Sequence, residues 1–222
     1  MSGKEESTSA ETRRKSRNQF EATKLSAAQR NIHVYAQIAS IGNFIFLISD
    51  MLFIQGQTER MIVAITRYCF SILLILLVRR LQRVRSFANF AALVTILEAA
   101  SILLYLVVLW LYESPDFMIQ SMGMILTILV IYVVPNRGEN ALTLSISAAI
   151  AYFAFSYYFI KDVPIKSFFA AMVYVTLTIV ICAARLLGTE RYAQREFLAK
   201  ANLQETSAKD YLTNAATRAR LE

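Results

Sequence analysis

Four ionisable side chains stand within or beside long apolar stretches of this chain: Asp50, Arg67, Glu98 and Arg185. A charge at depth in a bilayer is costly unless it is paired or faces a polar cavity, so each is a functional candidate. At ~1.5 Å of rise per residue, Arg67 lies about 9 Å from one surface of a ~30 Å hydrocarbon core, and Glu98 about 14 Å from the same surface. These depths predict an ion pair between Arg67 and Glu98, with Asp50, nearer that surface, sharing Arg67 or meeting Arg60. Two roles are open to such a cluster. It fixes helix register, or it lines a polar pocket that a ligand or proton engages. Arg185 falls at the end of the last apolar stretch, where its long side chain snorkels to the interface.

The elements that must position these groups are legible from how charge is distributed. The chain is 56% hydrophobic and 18% charged. Its charges crowd into residues 1–30, 79–85 and 185–222 and leave the stretches between them nearly charge-free. A soluble domain mixes the two along each amphipathic element, whereas a bilayer separates them into blocks. The predicted fold class is therefore all-α: a polytopic membrane protein with six transmembrane helices in three antiparallel hairpins and a cytoplasmic exit helix. The spans are placed at about 34–54, 61–78, 87–111, 118–134, 141–160 and 167–187, each near the ~20 residues a spanning helix needs. Turn chemistry separates them, at Gln55-Gly56-Gln57, Glu113-Ser114-Pro115-Asp116, Pro135-Asn136-Arg137-Gly138 and Lys161-Asp162-Val163-Pro164.

Loop charge sets the orientation. Arg79, Arg80, Arg83 and Arg85 fill one loop, and seven Lys/Arg precede residue 31. The opposite loops hold Arg60, Lys161 and Lys166. The basic side faces the cytoplasm, so both termini of this multi-pass chain are expected there. Trp110, Tyr112, Tyr157 and Tyr158 read as an aromatic belt at the other interface. Small residues such as Gly42, Ala91, Ala148 and Ala171 permit close helix approach, in a bundle or at a dimer face.

Residues 1–19 are polar, without apolar periodicity, and are expected to be disordered; Arg13, Arg14, Lys15 and Arg17 form a basic cluster suited to anionic headgroups. Residues 20–33 are expected to form a short amphipathic helix with Phe20, Leu25 and Ile32 as its apolar points. This polar start predicts no cleavable signal peptide. The net charge of +7 is read as the positive-inside bias and lipid contact, not as nucleic-acid binding. Cys69 and Cys182 are expected as free thiols within apolar spans. With His33 as the one histidine, no haem held by two histidines of one chain and no metal cluster are expected.

After Gly188, residues 189–209 are polar and free of Pro and Gly, with apolar points at Ala193, Phe197, Leu198, Ala201 and Leu203. They predict a signalling helix that continues the last span over 188–209. The chain then reads Asp210-Tyr211-Leu212-Thr213-Asn214, followed by Arg218 and Leu221. This segment resembles the opening D-x-L-T-G-L-x-N-R-R of a GGDEF domain, the catalytic domain of diguanylate cyclases. Asn214 replaces the usual Gly, Thr217 the usual Asn and Ala219 the second Arg. The resemblance covers residues 208–222 and implies that Asp210, Leu212, Thr213 and Arg218 belong to a signal-transmitting turn at the start of such a domain.

The resemblance further implies an organisation and a function. Residues 1–33 form a cytoplasmic tail, 34–187 a membrane sensor, 188–209 a signalling helix, and 210–222 the start of an incomplete GGDEF domain. The signature loop and metal-binding aspartates would lie beyond Glu222, so these residues would hold no catalytic group. The parent would use magnesium and GTP to make cyclic di-GMP across a homodimer. Other partners expected are membrane lipids and a small hydrophobic or membrane-derived ligand. The alternatives are a small-solute transporter or channel, and a ligand-free membrane anchor. Gly occurs inside a span only at Gly42 and Gly123 and no mid-span Pro is present, which disfavours the broken helices of a transporter.

Overall fold

A computed structural model describes residues 2–112, 117–160 and 163–218, and within the terminal helices it describes side chains over 18–200 and at Leu203. The expected turns at 113–116 and 161–164 therefore fall wholly or partly outside the described residues. Among these there are six helices and no strand: α1 (Ser2–Phe53), α2 (Gln57–Leu81), α3 (Phe87–Trp110), α4 (Phe117–Val133), α5 (Gly138–Phe159) and α6 (Ile165–Arg218). Two compact units can be distinguished, Met1–Ala184 and Arg185–Glu222.

Five of the helices are long and apolar enough to cross a membrane. The sixth, α4, is apolar but has 17 residues, as many as the span expected over 118–134 and at the lower edge of what a crossing needs. At ~1.5 Å per residue it covers about 25 Å. The bundle's outer surface is apolar: Ile41, Leu52, Ile65, Leu76, Leu103 and Ile150 are all more than half exposed. Water penalises such a surface, and hydrocarbon does not.

The first unit alternates helix direction. Gln29 on α1 donates through Nε2 to the carbonyls of Leu81, Gln82 and Val84 at 3.0, 3.1 and 2.8 Å, covering the C-terminus of α2. At the other end, Arg60 Nε donates to the Ile54 carbonyl across the α1–α2 turn. Trp110 meets Phe159 at 6.2 Å between ring centroids, while Asn140 near the start of α5 donates to Thr95 on α3, so α3 and α5 run parallel. α4 runs antiparallel to both, its start bonded to Tyr105 and Tyr152 and its end to Ser145. α3 packs more extensively on α5 than on α4. Small buried residues, Ala91 on α3 with Ala141 and Ala148 on α5, allow that approach.

Two apolar clusters and an aromatic layer make up the interior. Leu25, Ala28 and Ile32 form a stripe at helical spacing on α1 that packs with Val78, Leu81, Phe87, Phe90 and Val94. Ile54, Val63 and Val108 close the opposite end. Between α4, α5 and α6, Phe117 stacks on Tyr152 (6.0 Å) and on Phe168 (5.8 Å).

The ends of the chain depart from expectation. Helix α1 begins at Ser2, where the composition predicts disorder over 1–19, and it continues unbroken through the separate helix and span expected at 20–33 and 34–54. Residues 4–19 lack Pro and Gly and are rich in Glu, Lys and Arg, with Glu11 and Lys15 four residues apart, so helix prevails without an apolar face. The D-x-L-T segment is also helical, through Arg218, where the resemblance implies a turn. Asn214 stands where glycine would supply a left-handed residue, and the flanking Ala208, Lys209, Ala215 and Ala216 all favour helix. The side chains of Asp210, Leu212, Thr213 and Arg218 lie outside the described residues. In the second unit Lys200 Nζ donates to Glu196 Oε1 at 2.6 Å, one turn apart, while Tyr192, Leu198 and Leu203 are exposed.

Candidate functional site

The four candidate residues divide into a pair, a single carboxyl and a surface arginine. Arg67 binds Asp50 in bidentate fashion: Nε donates to Oδ2, and Nη2 donates to Oδ1 at 3.1 Å. Tyr112 Oη donates to the same Oδ1 at 2.6 Å. Arg67 Nη1 donates to Asn43 Oδ1 at 2.9 Å, and Asn43 Nδ2 returns bonds to the Arg67 carbonyl and to Ser71 Oγ, both at 2.8 Å. The Phe46 ring lies 5.5 Å from the guanidinium carbon. Asp50 is fully buried and Arg67 4% exposed, so the carboxylate and guanidinium satisfy each other where water does not reach.

The expected Arg67–Glu98 pair does not form, and the direction of helical side chains explains why. A side chain on a helix leans toward that helix's N-terminus. On α2 this carries Arg67 toward the α1–α2 turn and Asp50. On the oppositely directed α3 it carries Glu98 the other way, toward the segment joining α4 and α5. There Asn136 Nδ2 donates to Glu98 Oε2 at 2.8 Å and to Thr95 Oγ1 at 2.9 Å. Glu98 Oε1 is buried with no hydrogen-bond partner among the described residues. Arg185 is exposed.

Both Arg67 and Glu98 nevertheless line one cavity of about 100 Å³ between α1, α2, α3 and α4. Gly42, Phe46, Tyr105 and Thr127 contribute to its wall. Gly42 leaves open space, since a Cβ there would meet nothing within 4 Å. Gly123 has the opposite surroundings. A Cβ there would stand 2.9 Å from Tyr105 Oη and 3.1 Å from Cε2, and Tyr105 is tethered by donation to the Gln120 carbonyl. Gly123→Ala is expected to cost about 1–3 kcal/mol through overpacking, exceeding the ~1 kcal/mol that alanine gains in helix propensity. Thermal unfolding of the purified protein measures this. In a Tyr105→Phe background, which frees the ring, the same change should be neutral or stabilising.

Asn43, Ser71, Tyr112 and Asn136 are site residues that charge counting passes over. Their spacing carries the signal. Asn43 and Asp50 are seven apart on α1, Arg67 and Ser71 four apart on α2, and Thr95 and Glu98 three apart on α3, so each set shares a face. Tyr112, expected in the interfacial belt, instead turns its hydroxyl inward to Asp50, while Trp110, Tyr157 and Tyr158 remain exposed. Among the described residues no group of three or more His, Cys, Asp or Glu side chains is placed to hold a metal ion. Comparison with protein-family models, curated proteins and solved structures finds no match to the chain.

Proposed function

We propose that this chain is the membrane-embedded sensory and dimerising part of a diguanylate cyclase. The helices form six spans in three antiparallel hairpins, with both termini on the cytoplasmic side of a bacterial inner membrane. The arginines of the α2–α3 loop set that orientation. A homodimer pairs its exit helices, for which the exposed Tyr192, Leu198 and Leu203 offer apolar contacts. The output is a GGDEF domain opening at Asp210, which would take magnesium and GTP and release cyclic di-GMP. The input is a small hydrophobic or membrane-derived ligand in the cavity lined by Arg67 and Glu98.

The observation that carries this reading is α6. It begins as an apolar span at Ile165 and is a single helix to Arg218, so it reaches the D-x-L-T segment without a break. A rigid helix transmits rotation and translation, whereas a flexible linker dissipates both.

Helix phase tests the reading. The chain joined in frame at Glu222 to an active diguanylate cyclase domain should lose its native setting when two residues are inserted between Gly188 and Ala208. Two residues rotate the distal part by about 200° and seven by about −20°, so seven should restore the setting. We expect a several-fold change in cyclic di-GMP for the two-residue insertion and near-native output for seven. Equal output from all three proteins would exclude α6 as a transmitting rod.

A further inference from the structure

The polar groups around the cavity do not balance in charge. Arg67 is neutralised by Asp50 through two hydrogen bonds, which leaves one carboxyl without a counter-charge among the described residues. Glu98 is 7% exposed and Asn136 satisfies Oε2, but Oε1 is buried and unpartnered beside a cavity that Glu98 itself lines. A buried carboxylate in that state is strongly disfavoured. It must hold a proton or face a cation. The rest of the wall is apolar or aromatic, including Phe46, Phe70, Leu74 and Tyr105. The volume of about 100 Å³ suits a molecule of about four or five heavy atoms, by comparison with the ~150 Å³ cavity that accepts the six of benzene.

We infer that this cavity binds a small organic cation, a primary ammonium with a short apolar body, whose N–H donates to Glu98 Oε1. The inference gives a ligand class to the sensing site proposed above, and its test needs no output domain. Aromatic faces stabilise the cationic end, and the aliphatic wall takes the body. Arg67 does not repel the ligand strongly because Asp50 cancels its charge. When the cavity is empty Glu98 carries a proton. Binding therefore exchanges one proton for one ammonium ion, and the carboxylate that forms is matched by the ligand's charge.

The other groups around Glu98 leave it as the exchanging site. From α2 the cavity receives Arg67, paired to Asp50 of α1; from α3 itself, the phenol of Tyr105; and from α4, Thr127. The α4–α5 segment adds the uncharged amide of Asn136, followed in sequence by Arg137, with the uncharged Asn140 behind it on Thr95. Affinity should therefore rise with pH. Where Glu98 is protonated in the empty protein, each pH unit should raise it about tenfold.

The experiment follows thermal unfolding of the purified chain in lipid nanodiscs with n-butylammonium, using 1-butanol and butyrate as neutral and anionic isosteres and sodium at equal ionic strength. Butylammonium alone should raise the unfolding temperature, at lower concentration as pH increases. Glu98→Gln, which keeps the volume and cannot ionise, should abolish the response. Gly42→Leu, which fills open space away from the carboxyl, should abolish it too and serves if Glu98→Gln fails to fold. An equal response to 1-butanol, a response retained in either variant, or no response to butylammonium at any pH would overturn the inference. None of these outcomes bears on the transmission through α6, which the insertion series tests separately.

Discussion

Replacing Asp50 with alanine should destabilise the protein by about 3–5 kcal/mol, the cost of leaving a buried arginine without its carboxylate. Arg67 makes three side-chain hydrogen bonds, two to Asp50 and one to Asn43, and its site is closed to water. Arg67→Ala should cost a similar amount because Asp50 would keep only Tyr112. Removing both partners together should cost far less than the sum, since a neutral pair in an apolar bundle leaves no stranded charge. The double variant Asp50→Leu with Arg67→Met is the informative one, with the fraction folded followed by denaturant titration in mixed micelles. Glu98→Gln provides the contrast. Glu98 has no ion partner among the described residues, so this change should cost about 1 kcal/mol or less. A loss as large as that of Asp50→Ala would mean that Arg67 leans on Glu98 after all.

The second large effect belongs to Tyr152, a fully buried side chain where α3, α4, α5 and α6 converge. Its ring stacks on Phe117, stands edge-on to Phe153 at 5.1 Å, and lies 6.5 Å from Tyr105. Its hydroxyl shares a 2.9 Å hydrogen bond with Ser121. Tyr152→Ala should cost about 3–5 kcal/mol, because three aromatic neighbours lose a face and the bundle cannot collapse to fill the space. Tyr152→Phe keeps the ring and should cost about 1 kcal/mol. Ser121 would still donate to the Phe117 carbonyl at 2.7 Å. The same unfolding measurement separates the two variants. Near-equal losses would mean that the hydroxyl, not the ring packing, holds the layer.

Much of the architecture was legible because a bilayer forces charge and apolar residues into blocks. Helix existence, number and most boundaries follow from that segregation, and the Pro and Gly turns mark the breaks. What could not be read is which side chains meet. Equal depth suggested Arg67 with Glu98, but depth describes Cα positions. The lean of each side chain toward its own N-terminus separates the two on oppositely directed helices. Tyr112 was misplaced for a related reason, since composition identifies an interfacial aromatic but not which way it turns. The helical start was missed because a polar segment without an apolar face resembles disorder; the helix over 188–209 was legible, and only its continuation through 210–218, where the resemblance implies a turn, was not. The inward polar faces of α1, α2 and α3 are written in the sequence as spacings of seven, four and three, but a reading that counts charges passes over the uncharged Asn43, Ser71 and Thr95.

The shortness of α4 has one more consequence. With 17 residues against 24 in α3, it ends about 10 Å early, and so the segment carrying Asn136 sits level with Thr95 and Glu98. On its outer side α4 presents Met122, Leu126 and Val133 to the surroundings. In the six-span arrangement proposed above, acyl chains alongside would thin to match it, or leave polar backbone in hydrocarbon. Hydrophobic mismatch of this kind costs a fraction of a kcal/mol per Å. In that arrangement a thicker or more ordered membrane is expected to strain the α4–α5 segment at the Asn136–Glu98 bond.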